Sequence, residues 1–140
     1  MKGNLMREIK FRAWDNLEKR MRKVVSLHWR DDKLISAKLE GDNEPIPIDG
    51  RLVIEQSTGL KDKNGKEICG GDVIAINHPE WIEPTLHRVK YFSDEGYPAF
   101  DIVPTLGDES NGLSAAIESD DLTVRVVDNI HENYELLEEK

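Results

Sequence analysis

The chain has 140 residues, 38% hydrophobic and 34% charged, with one cysteine and a formal net charge of −9. That length suits one compact unit with a modest core. A single cysteine excludes an intrachain disulfide, and no apolar run approaches the ~20 residues that span a bilayer.

The elements are mainly short strands. Residues 8–14, EIKFRAW, alternate, with Ile9, Phe11 and Ala13 on one face and Lys10, Arg12 and Trp14 on the other. That period of two is a strand signature. Asp15 to Lys19 reads as a turn, and Met21 to Leu27 returns with Met21, Val25 and Leu27 in phase. Residues 1–40 are therefore expected to hold an amino-terminal basic hairpin or arm, with LISAKL at 34–39 as a further strand. GDNEPIPIDG, at 41–50, is rich in Gly, Pro and Asp and marks the expected boundary.

Residues 51–140 are expected to form a β-rich body. Leu52-Val53-Ile54 enters it, and Val73-Ile74-Ala75-Ile76 follows Gly70-Gly71-Asp72. HPEWIEPTLH reads as a loop. RVKYF and YPAFDIV read as paired strands joined by a turn at Ser93-Asp94-Glu95-Gly96. Residues 104–114 are polar and expected to be loop, and LTVRVV at 122–127 is a last β-branched strand. The closing NIHENYELLEEK reads as a short helix with Asn133 as its cap and Leu136 and Leu137 as its apolar face. The whole predicts a mainly β (β-rich α+β) protein: the amino-terminal hairpin, a small curled sheet or SH3-like barrel, and a short carboxy-terminal helix in one compact unit.

The densest run of polar chemistry is GLKDKNGKEICGGD at 59–72. It is not a phosphate loop, because five residues separate Gly59 from Gly65 where four are needed, and Glu67 stands where a hydroxyl should hold magnesium. Nor is it a calcium loop. Counted from Asp62, the turn glycine is replaced by Glu67 and the closing carboxylate by Val73. The histidines at 28, 78, 87 and 131 lack metal-ligand spacing, and Cys69 has no hydrolase signature around it. No cofactor or metal is expected. What remains is a hairpin, with Asn64-Gly65 as a type I′ turn and Gly70-Gly71 as a sharp reversal into the next strand.

Three blocks, MREIKFRAWD at 6–15, STGLKDKNGKEICGGDVI at 57–74 and VVDNIHENYELL at 126–137, resemble the YopX-like proteins of phages and prophages, in the family's order and over nearly the whole chain. Cys69 stands where such proteins usually have an aromatic residue, and Tyr134 where they often have proline. The resemblance implies a small β-rich, phage-encoded protein that self-assembles; it brings no established activity.

Charge is uneven along the chain. Residues 1–30 hold nine Lys/Arg and three Asp/Glu, and residues 31–140 hold ten and twenty-five. A basic segment on an acidic body suits docking on an acidic surface, its own or a neighbouring subunit's. The expectation is thus a non-enzymatic phage or prophage accessory protein, cytoplasmic in the host cell and homo-oligomeric. Arg7, Lys10, Arg12, Arg20, Arg22 and Lys23 would meet acids such as Asp120, Asp121 and Glu138. The alternative is a module that binds nucleic acid or host machinery, with Phe11, Trp14 and Trp29 as stacking faces or the acidic body as a DNA mimic. No membrane partner is expected.

Overall fold

The computed structural model describes residues 9–91, 99–106 and 112–133. The chain divides into two units, residues 8–56 and residues 57–140 together with 1–7.

The unit at 8–56 is an antiparallel meander. Strands β1 (Phe11–Asp15), β2 (Arg20–Arg30), β3 (Lys33–Leu39) and β4 (Ile46–Pro47) lie beside the first half of β5 (Leu52–Lys61), in the order β4-β3-β2-β1-β5. The expected hairpin is present, since β1 pairs β2 from Arg12↔Lys23 to Asp15↔Arg20. The core is small: Ala13, Ala37, Leu39 and Leu52 are buried, with Val24, Leu27, Ile46, Ile48 and Ile54 packed against them. Strict alternation fails in two places. Ala13, Trp14 and Asp15 are all buried in succession, and Val25, expected inside, is 58% exposed. Val25 has no partner on β3, where the register shifts between Val24 and Ser26. Such a bulge re-aims a side chain without ending the strand.

In the other unit the second half of β5 pairs β6 (Glu67–Cys69). A four-stranded antiparallel sheet follows in the order β10-β7-β8-β9, from β7 (Asp72–Asn77), β8 (Thr85–Tyr91), β9 (Phe100–Val103) and β10 (Thr123–Asn129). Strand β7 is buried along nearly its whole length, as its unbroken Val-Ile-Ala-Ile run requires of a central strand. Ile68, Ile74, Ile76, Val89, Ile102 and Val124 make the core with Leu113 and Ala116 of helix α1 (Gly112–Glu118).

Four expectations change. The sheets do not close as a barrel: each is an open run of strands whose first and last members are unpaired with each other. Residues 112–114, expected as loop, begin α1, whose Leu113, Ala116 and Ile117 supply an i, i+3, i+4 apolar face. The carboxy-terminal helix α2 (Ile130–Asn133) is capped by Asn129, not Asn133. The Asn129 Oδ1 accepts from the N–H groups of His131 and Glu132, both at 3.0 Å, and its amide donates to the Glu132 carboxylate. Asn129 is thus an N-cap, with its side chain also tied to Glu132. Finally, Gly65 has φ +84 but Asn64 is not at positive φ, so the tip is a type I turn closed by a left-handed glycine. The turn at 93–96, Leu136 and Leu137 lie outside the described residues.

Candidate functional site

The basic residues singled out above lead to a charge cluster in the unit at 8–56. Asp15 ends β1 and is completely buried. Its Oδ1 accepts from Arg51 Nε at 2.9 Å and from the N–H groups of Leu17 and Glu18, which shapes the β1–β2 turn. Its Oδ2 accepts from Arg51 Nη2 at 2.9 Å and Arg22 Nη1 at 3.3 Å. The forked bonding from Arg51 holds the Asp15 carboxyl well below the usual carboxylate range, against the opposing cost of burial, and the turn amides and Arg22 add to it. Arg22 is itself buried. Its Nη2 reaches Asp42 Oδ1 at 3.0 Å and the Glu40 carbonyl at 3.3 Å, and Asp42 first, then Asp15, holds it more firmly charged than a free arginine.

The other predicted residues sit as follows. Arg12 pairs Glu55 at 3.0 Å across β1 and β5, and exposed Arg20 pairs Glu18 at 2.7 Å. Lys10 and Lys23 are exposed. Arg7 and Glu138 lie outside the described residues, and Asp120 and Asp121 are exposed just before β10. Residues 8–56 together carry ten basic and ten acidic side chains, a net of zero, whereas 57–140 carry seven and eighteen. The basic stretch is thus answered by acids of its own unit, many from residues 40–55. Of the aromatics, Trp14 is buried and donates to Asn16, Phe11 is half-buried, and Trp29 is exposed.

The loop at 59–72 is structural. Asp62 is buried, and its carboxylate accepts from Asn64 and Lys66 through Oδ1 and from Val126 through Oδ2, each at 2.9 Å. Burial alone would raise its pKa; the three N–H bonds outweigh that and lower it. With the Lys63 N–H on the Val124 carbonyl, this side chain ties the hairpin tip to β10. Gly71, at φ +93, donates to Val89 and accepts from Ile130 at the start of α2, a backbone junction that needs its left-handed conformation. Lys61 and Lys63 flank a cleft of about 160 Å³ floored by Ala116, Ile117 and Leu122.

His87 went unremarked in the sequence as one of four scattered histidines. It is buried on β8, with Nδ1 donating to the Pro104 carbonyl at 2.6 Å and Nε2 against Thr85 Oγ1 at 2.8 Å. Burial pushes its pKa down, more than the Pro104 carbonyl raises it. Cys69 is buried. Among the described residues no three His, Cys, Asp or Glu side chains converge as a metal cage, and no helix is long and apolar enough to cross a membrane.

Fold and polar network together define a small two-sheet β-rich protein whose buried carboxylates Asp15 and Asp62 hold turns and strands together. The YopX protein family model matches residues 10–138, and the chain belongs to that family. It is similar to the crystal structure of protein EF1440 from Enterococcus faecalis, with a TM-score of 0.72 and 30% identity over 94% of this chain and 99% of that one. No curated protein matches it.

Proposed function

We propose that this is a non-enzymatic accessory protein of a phage or prophage, working in the host cytoplasm by associating with further copies of itself. The observation that carries the reading is the pair Val25 and Trp29, each 58% exposed on a unit of zero net charge. Exposed large apolar side chains favour burial against a partner, and the balanced charge of residues 8–56 leaves the repulsion between copies to the acidic residues 57–140, where salt screens it. The non-enzymatic part is supported by what the chemically capable groups already do. His87 has both ring nitrogens engaged, Asp62 and Asp15 have both oxygens engaged, and Arg12, Arg20 and Arg22 are paired within their own unit. The phage setting is supported by the family resemblance.

Light scattering at low and high salt tests the reading. Association that persists in high salt is expected of a mainly apolar contact; a monomer at every ionic strength overturns it. A second reading, binding of a nucleic acid, is favoured by Lys61, Lys63 and Lys66, all exposed on one hairpin. Gel shift at low salt with single- and double-stranded DNA and RNA decides it, and no shift removes it.

A further inference from the structure

We infer that copies of the chain meet through the loop between β7 and β8, which inserts Ile82 into the cleft flanked by Lys61 and Lys63 on a second copy and sets Glu80 and Glu83 against those lysines. The inference rests on the self-association proposed above, and adds to Val25 and Trp29 a contact within residues 57–140. Ile82 is 103% exposed, more than any other large apolar side chain among the described residues, and Trp81 beside it is partly exposed. The loop holds them out in a fixed shape. The Trp81 backbone N–H donates to the His78 carbonyl and the Glu80 N–H to His78 Nδ1, both at 3.0 Å, and the Trp81 and His78 rings lie 5.6 Å apart. A preordered knob of this kind loses little conformational freedom on binding. Glu80 and Glu83, exposed on either side of it, make no ion pair among the described residues.

The cleft is the complement of that knob. Ala116, Ile117 and Leu122 make an apolar floor, and the volume of about 160 Å³ has room for an isoleucine side chain, since cavities of ~150 Å³ take up a benzene. Lys61 and Lys63 on its rim are exposed and likewise make no ion pair among the described residues. Glu118, Asp120 and Asp121 are exposed on the run from α1 into β10, so an incoming loop is admitted with its glutamates on the lysine side. This local charge match lets two copies of residues 57–140, each of net charge −11, approach one another. The loop also starts beside the cleft, because Asn77, the last residue of β7, pairs Thr123 of the cleft wall. Ile82, fully exposed, does not occupy the cleft of its own chain. A two-fold axis at that end of the sheet therefore lets each copy fill the other's cleft, an arrangement that closes as a dimer.

The test is light scattering over a concentration series on the full chain and its variants, each checked for an intact fold by circular dichroism. Ile82→Lys changes a side chain with no contacts to lose and is expected to weaken association at least about tenfold. Glu80→Lys with Glu83→Lys is expected to weaken it, as is Lys61→Glu with Lys63→Glu, and the four substitutions combined to restore it. Association by the parent chain that is indifferent to Ile82→Lys overturns this contact while leaving self-association standing. A failure of the combined charge swap to rescue overturns the pairing of loop with cleft. Loss of a nucleic-acid gel shift in the Lys61→Glu, Lys63→Glu chain, with association unchanged, gives the cleft to that ligand and overturns the inference. A parent chain that is monomeric throughout overturns both this inference and the proposal beneath it.

Discussion

Asp15 is the residue on which the amino-terminal unit depends most. Its carboxylate answers Arg51, Arg22 and two turn amides at once. Removing one member of a buried ion pair strands the other charge in a poorly solvated place, which costs about 3–5 kcal/mol. Asp15→Ala is therefore expected to lower unfolding stability by that order in urea titration, whereas Arg20→Ala, at an exposed pair, is expected to change it by less than about 1 kcal/mol. His87 makes a pH prediction. Its folded pKa lies below the ordinary value near 6.5, so the unfolded chain binds the proton more readily. The stability that depends on a neutral His87 is complete above about pH 6.5 and declines as pH falls below it toward the folded pKa. Thermal melts between pH 8 and pH 5 are expected to show a falling midpoint, and His87→Gln a flatter profile. The same slope in both chains would assign the effect elsewhere. Neither role was legible in the sequence. Arg22 stood in a pattern of exposed basic positions, and its burial depends on Asp42 from a loop twenty residues on.

Turns show where local chemistry spoke clearly and where it misled. Asn64-Gly65 was expected to form the type I′ turn, yet Asp62 holds that loop through its side chain in another geometry. The type I′ conformation occurs at Asp31 and Asp32, with φ of 51° and 68°, between the paired residues Arg30 and Lys33. Aspartate tolerates that region at some cost, and Asn-Gly suits it better. Asp31→Asn with Asp32→Gly is expected to stabilise the unit by about 0.5–1 kcal/mol, read as a higher urea midpoint at constant slope. Helix α1 was legible in principle: Leu113, Ala116 and Ile117 have helical spacing, but seven residues beside a polar run gave too short a window for periodicity to stand out. Its first turn is held by a tertiary bond, from the Leu113 N–H to Asp101 Oδ1 at 3.1 Å.

Across the whole molecule, charge is divided differently in space than along the chain. The amino-terminal basic run is neutralised inside residues 8–56, and the net charge of −11 resides in 57–140. Self-repulsion of that unit is screened by salt, while the buried Asp15–Arg22 pair is largely indifferent to it. Raising sodium chloride from about 10 to 150 mM, a Debye length falling from roughly 30 to 8 Å, is expected to raise the unfolding temperature in calorimetry. A fall would mean that exposed ion pairs outweigh the repulsion.

The sequence by itself determined the β-rich class, most strand positions, the hairpin at the amino terminus and the family. Those follow from alternation, turn residues and three local blocks, all of which are short-range properties. Only the tertiary structure decided that the sheets stay open, that Arg22 and Asp15 are interior, and that Asp62 is a clamp on β10. Each of these depends on which distant segment arrives opposite a given side chain, and burial, pairing and pKa are set by that neighbour rather than by the residue's own type.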